Sequence, residues 1–501
     1  MGTRPGPRSW AGRATLAASV FGGLACGRTD VSILDGDATA SDSTFGESAT
    51  DSDDGGVEPL PALPPACAIR LHPDQPSVPI FDDESLLGGR LMVLDAGDRS
   101  SGRPLKLLAL HSEHVGDAHP EYVARVYESP EWPELYPVGA PVALTRRGHA
   151  VSQLWPIDEG LRRWIYVWAG DPRGGENAYD RFASLLDLDV GAVVEERTLD
   201  IDQSKGANLF RIPGHPRFVL TTRTDDFGTT PNGMTSGDSM RELDMQGRVV
   251  AGPTPLTLRA PSPGPESVRF WAADRVGVAV SNNECDAASP LCAPYSVSIA
   301  TSARVEGPGT AIENYAITHR VPALPDSAFV SPVSHTQLFG RHFVMWSEAP
   351  DSKDAGPGRT VRGFATDLRG DAIAWPADAG VGEASSIVAD ATVSSTPGVI
   401  VSPLGITVYT RDALEEPTGE TRFFFVLEHF DFELQPLGEP IVLDVGTRPA
   451  QAPPGQTGVA RPGQVHLDDG VLFGWNEWDG SDGQRMRFAK LECDPAAAGG
   501  R

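Results

Sequence analysis

The chain has 501 residues, with 41 Lys and Arg against 68 Asp and Glu, a formal charge of −27 at pH 7. Such an acidic chain has no basic stripe to displace phosphate counterions, which excludes nucleic acid as a partner, and no apolar run reaches the 18 residues of a membrane-spanning helix. With 40% hydrophobic residues the chain can bury a large core, in one big domain or in two to three ordinary ones, while its 54 Gly and 44 Pro mark it as turn-rich.

The elements follow in chain order. Arg4, Arg8 and Arg13 precede a short apolar stretch, Ala14–Ala25, and no acid stands before Asp30. A basic start, a short apolar core and small residues before a cut predict an export signal over residues 1–25. As a helix the apolar stretch would reach only about 18 Å, too short for a bilayer. Cys26 follows at once, and in this position it resembles the lipidation site of bacterial lipoproteins. One departure is that Leu24 stands two residues before the cysteine, where the family places its leucine three before. The resemblance implies that the thiol of Cys26 is acylated and becomes the N-terminus, and Gly27 after it favours the outer membrane. An ordinary secretory signal cut nearby is the alternative.

Residues 27–66 carry nine acids, one Arg and one aromatic, Phe45. A segment of this composition cannot bury enough apolar surface to offset its ordering entropy, so 26–66 is expected to be a lipidated cysteine with a disordered acidic tether. Pro61, Pro64 and Pro65 stiffen its end. Residues 495–501 form a short disordered tail.

After Cys26 four cysteines remain, Cys67, Cys285, Cys292 and Cys493. An even count in an exported chain suggests two disulfides, with three connectivities open. The short spacing of Cys285 and Cys292 favours local pairing, which leaves Cys67 with Cys493.

From residue 67 to 494 almost no helical periodicity exists. Short β-branched and aromatic runs alternate with Gly, Pro, Asp and Asn clusters, the pattern of an all-β chain. The runs recur as seven copies, with first strands marked by Leu107, Ile165, Phe218, Gly277, Phe343, Ile406 and Leu472, a spacing of about 61 residues. Repeats of this length with four short strands predict propeller blades. Inner-strand candidates precede the pairs at 149–155, 207–212, 266–271 and 398–403, and outer strands follow at 141–145 and 440–445. The last copy lacks a fourth strand and an orphan, 67–72, precedes the first. The expected fold is a seven-bladed β-propeller of four-stranded blades, closed by that N-terminal strand in the last blade, with no exposed sheet edge.

The copies resemble a divergent propeller repeat of exported bacterial lipoproteins, in which an apolar strand ends in Val-Trp-x-Asp/Glu and a second strand carries Arg or Lys and ends in Asp-Gly. The closest matches are Val344-Met345-Trp346-Ser347-Glu348 leading to Thr366-Asp367-Leu368-Arg369-Gly370, and Phe473-Gly474-Trp475-Asn476-Glu477. Val167-Trp168 keeps the indole but has Gly170 in place of the acid. The resemblance implies a fold and no activity.

Candidate sites divide as follows. Trp168, Trp346 and Trp475 share one repeat position, which suits packing between blades better than a sugar-stacking ring. Acids recur between the second and third strands at Asp171, Asp225, Asp226, Asp286, Asp351, Asp354, Asp479 and Asp482. Asp479, Ser481 and Asp482 could offer oxygens to Ca²⁺, or form ordinary hairpin turns. His111, His114 and His119, with Asp117, are spaced closely enough for Zn²⁺ or make a solvated loop. No nucleophile elbow, HExxH or phosphate-binding loop occurs, so no catalytic residue and no required cofactor is assigned. His149, Glu266, His335 and Arg461 lie in or near inner strands, where propeller enzymes place their reactive groups.

The sequence therefore predicts a monomeric cell-envelope lipoprotein, touching the membrane through its lipid anchor only, whose propeller binds or scaffolds a protein or glycan. Two alternatives remain: an exported propeller hydrolase or lactonase using channel carboxylates, and a structural envelope component.

Overall fold

The computed structural model describes residues 60–494 apart from 73–77, 80–85, 96–102, 114–120, 131, 133, 146–149, 159, 173–178, 212–215, 225–236, 257–266, 273–274, 283–295, 302–315, 332, 351–359, 389–397, 449–462, 468–469 and 479–483. Among the described residues every regular element is a strand, and every pairing between strands is antiparallel.

The strands form six hydrogen-bonded sheets in chain order. The first is a meander of Leu86–Asp95, Leu105–Glu113, Glu121–Ser129 and Tyr136–Ala143. The second has seven strands, from Ala150–Pro156 to Val249–Leu256. Its middle strand, Ala192–Arg211, serves two meanders. Residues 192–199 pair with Tyr179–Asp187 as a fourth strand, and residues 204–211 pair with Arg217–Thr224 as a first strand. Register shifts between Leu199 and Ser204, and between Ser204 and Gly206, mark where one role passes to the other.

The third sheet is Ser267–Ala272, Arg275–Asn282, Ser296–Thr301 and Ala316–Pro322. The fourth centres on Arg341–Ala349 and Thr360–Asp367, with inner positions filled by Phe329–Val330 and Ser334–Leu338 and outer positions by Ala372–Ile373 and Ser385–Val388. The fifth runs from Gly398–Ser402 through Gly405–Glu415 and Thr421–Phe430 to Ile441–Arg448. The sixth has Gly463–Leu467, Gly470–Trp478 and Gln484–Cys493, and its outer position beside Gln484–Cys493 is shared by Ile69–Leu71 and Val78–Pro79 from the start of the domain. The register there sets Ile69 opposite Cys493 and Leu71 opposite Leu491.

Hydrophobic side chains pack between the first and second sheets, within the second, and between successive sheets from the third to the sixth. Leu108 and Leu110 of the first sheet meet Trp164, Tyr166 and Trp168 of the second. Within the second sheet, Ile165 and Val167 meet Phe218 and Leu220. Val297 and Ile299 of the third meet Val344 and Phe364 of the fourth; Phe343 and Trp375 meet Ile406 and Phe432 of the fifth; Phe425 and Leu427 meet Phe473 and Leu491 of the sixth. Leu86–Asp95 of the first sheet also runs beside Gly463–Leu467 and Gln484–Cys493 of the sixth.

Burial follows from this stacking. Thr421–Phe430 alternates between buried and more open positions, the period of two of a strand with one face sealed, whereas Arg341–Ala349 is buried at every position after its first. Each fully buried Phe or Leu contributes about 1.5–3 kcal/mol. Antiparallel meanders that follow one another along the chain make an arrangement of the β-propeller type.

Candidate functional site

Polar side chains that the sheets bury are the candidates for chemistry, and the densest group lies in the fourth sheet. In Arg341–Ala349 the two-residue period puts Trp346 and Glu348 on one face, and the register sets Trp346 opposite Arg362. Glu348, 1% exposed, accepts four hydrogen bonds: from the Trp346 indole at 2.8 Å, Arg362 at 2.8 Å, the Leu324 amide at 2.7 Å and the Ser327 hydroxyl at 2.8 Å. Arg362 also donates to the Pro322 carbonyl at 2.9 Å and lies 5.6 Å from the centre of the Trp346 ring. Every Glu348 bond goes to the protein itself, which makes the carboxylate a tie between the third-to-fourth-sheet connection and two strands.

A second group is built from histidines. His335, on Ser334–Leu338, meets His342, on Arg341–Ala349, with Nε2 and Nδ1 2.9 Å apart. Both are buried. Burial pushes the His335 imidazole well below its ordinary range, and the neighbouring His342 adds to this. Burial also lowers His342, to about 4, against the opposing pull of the Leu368 backbone and Asp367. Both rings are therefore neutral at pH 7, and one donates to the other.

In the fifth sheet His429 Nε2 donates to the Leu404 carbonyl at 3.0 Å, so its Nδ1 accepts from the Thr407 hydroxyl at 2.9 Å. Burial lowers its pKa too. These imidazoles tie first to second strand and second to third strand.

A third device recurs at the ends of third strands. Asp187, Asp244, Asp367 and Asp431 each turn a carboxylate oxygen to two backbone amides just ahead: Asp189 and Val190, Gln246 and Arg248, Arg369 and Asp371, Glu433 and Gln435. The turns then pass through a positive φ at Gly191, Gly247, Gly370 and Leu434. The Asp and Gly of the repeat are thus turn chemistry.

The residues singled out from the sequence fall as follows. Trp168, Trp346 and Trp475 are all buried between sheets, which supports packing over sugar stacking. Cys67 is bonded to Cys493, with Cα atoms 5.5 Å apart. Cys26, Cys285 and Cys292 lie outside the described residues, as do His114, Asp117, His119, His149, Glu266, Arg461, Asp225, Asp226, Asp286, Asp351, Asp354, Asp479, Ser481 and Asp482. His111 is on the strand Leu105–Glu113, opposite Val123, and Asp171 is on Arg163–Pro172. Of the inner-strand candidates, His335 is described, and it is committed to His342. Among the described residues no group of three or more His, Cys, Asp and Glu could hold a metal ion, and no helix is long and apolar enough to cross a membrane.

The Glu348–Arg362 pair, His342 and the Asp turns were not marked as sites in the sequence. The Trp-x-Glu and Asp-x-x-Gly spacings were the signal for the first and the last. Nothing in the sequence places His335 beside His342 except their positions on adjoining strands of one hairpin.

No protein-family model matches the chain, and no curated protein matches it. Among solved structures, a protein of unknown function from Dyadobacter fermentans is 10% identical with a TM-score of 0.40, covering 85% of this chain and 100% of that one. An oligogalacturonate lyase in complex with manganese is 10% identical, TM-score 0.41, covering 84% of this chain and 98% of its own. An ulvan lyase of polysaccharide lyase family PL25 is 11% identical, TM-score 0.41, covering 82% and 95%. These likenesses assign no chemistry to this chain.

Proposed function

We propose that this chain is an exported, lipid-anchored, seven-bladed propeller that binds or scaffolds a protein or glycan at the cell envelope. The observation that carries the reading is the Cys67–Cys493 bond beside the pairing of Ile69–Leu71 with the last strand. A disulfide between the two ends of a domain persists in an oxidising compartment, as the N-terminal export signal requires. Counting the second sheet as two blades that share Ala192–Arg211 gives seven units, the number the repeat predicts. The contact of the sixth sheet with the first supports a closed ring.

In this reading Cys26 carries the lipid, residues 27–59 space the domain from the outer membrane, and the monomeric propeller is a rigid platform. Its buried polar groups tie strands to one another, so recognition falls to the surface.

Two experiments test it. Cys26→Ser should move the protein from the detergent phase to the soluble exported fraction; a variant still partitioning with lipid contradicts the anchor. The mature chain in detergent, with and without Ca²⁺, should bind one class in a panel of neutral, acidic and sulfated polysaccharides and envelope proteins saturably, and leave the ligand intact. Cleavage of a polysaccharide or lactone in the panel would favour the hydrolase, and no saturable binding would contradict the module.

A further inference from the structure

The chain just before the closing strand does more than lead into it. Leu60–Ala66 lies along the hairpins that join first to second strands. Arg341, at the start of its strand in the fourth sheet, donates to the Pro61 carbonyl at 2.7 Å and to the Phe339 carbonyl at 2.8 Å. Leu63 and Ala66 pack on the cluster between the fourth and fifth sheets, beside Phe339 and Leu434. Phe339 stands edge-on to Phe432 with ring centres 5.7 Å apart, so hairpins of neighbouring sheets meet at this end. The Cys67 amide then bonds the Leu404 carbonyl in the fifth sheet's own hairpin, and the Asp494 amide bonds the Ala68 carbonyl in the sixth sheet. Gly340 shows how close the approach is: φ is +70°, and a Cβ there would come 3.2 Å from Pro61 Cδ.

We infer that Leu60–Ala66 is a strap that makes the preceding chain leave the domain at this hairpin end, beside the junction of the fourth and fifth sheets, and that a surface holding the N-terminus therefore faces this end. The opposite end, where second strands turn into third strands as at Glu416–Glu420, points away from that surface. The second half rests on the lipid-anchor reading; the strap does not.

Two measurements on the full chain separate them. A photoreactive benzoyl-phenylalanine in place of the exposed Ala62 should crosslink within 339–341 and 432–434, and Gly340→Val should abolish that crosslink while the Cys67–Cys493 bond persists. Crosslinks spread over other sheets, or unaffected by Gly340→Val, overturn the strap. For the outward end, the lipidated chain is placed in phosphatidylethanolamine–phosphatidylglycerol vesicles carrying an acceptor dye. A fluorophore at Arg369, on the hairpin end, should transfer energy to the membrane more efficiently than one at Thr418; equal or reversed transfer overturns the orientation. A chain that crosslinks at the hairpins but does not enter vesicles contradicts the anchor, and with it the outward end, and leaves the strap standing.

Discussion

Two sheets hold a tryptophan at the same point of the second strand and satisfy it by different chemistry. In the second sheet Trp168 stacks on Phe182, its cross-strand partner, with ring centres 4.3 Å apart, and donates its indole N–H to Ser184 at 3.0 Å. In the fourth sheet the partner position holds Arg362, the ring has a cation beside it, and the N–H goes to Glu348. In these two sheets the indole has a flat group beside it and an acceptor for its N–H. An apolar ring with a hydroxyl fills these roles in one, and a cation with a carboxylate in the other. The second sheet therefore needs no acid at Gly170, because Ser184 accepts the indole N–H.

The two solutions differ in what their loss costs. Glu348→Ala leaves Arg362 and an indole N–H buried together, and it should destabilise the domain by about 3–5 kcal/mol. Ser184→Ala removes one neutral hydrogen bond and should cost about 1 kcal/mol. Denaturant unfolding of both variants decides the matter; equal losses would mean that the charged network is only a packed equivalent of the neutral one.

A second contrast is between the ring closure and a loop. Cys67→Ser/Cys493→Ser should cost about 2–5 kcal/mol, while Cys285→Ser/Cys292→Ser, whose expected disulfide would close only a short loop, should lower the unfolding midpoint less. The reverse ranking would remove the closing strand from its central place.

The third contrast separates the sheets tied by histidine from the second sheet. The folded values of His335, His342 and His429 lie below the ordinary value near 6.5. The unfolded chain therefore takes up protons that the folded chain refuses, and stability is lost as pH falls from about 6.5 towards the His342 value of about 4. The unfolding midpoint should drop over that window, and His335→Gln/His342→Gln should flatten the slope. A midpoint independent of pH between 6.5 and 5 would contradict the neutral buried pair. The smallest effect belongs to the repeated turns: Asp367→Ala should cost about 0.5–1.5 kcal/mol by equilibrium unfolding.

Much of the fold was legible. The inner strands expected at 149–155, 266–271 and 398–403 are Ala150–Pro156, Ser267–Ala272 and Gly398–Ser402, because alternation over a few residues is a local signal. The orphan at 67–72 is Ile69–Leu71, paired where its missing partner implied. Two features escaped. Ala192–Arg211 joins two meanders without a turn, and its polar middle gives no sign that the chain simply continues. The end of the acidic segment docks on hairpins nearly three hundred positions away, through one arginine and the apolar side chains of Leu63 and Ala66, which no composition argument could locate. The site was less legible than the fold. His335 was marked for its place on an inner strand, but its partner and burial depend on packing across the hairpin and between sheets.

The central claim is that the two ends of the domain meet in one blade. Peptide mapping of the unreduced protein tests it most directly. The account predicts one disulfide-linked fragment joining residue 67 to residue 493; a fragment linking 67 to 285 or 292 would contradict it.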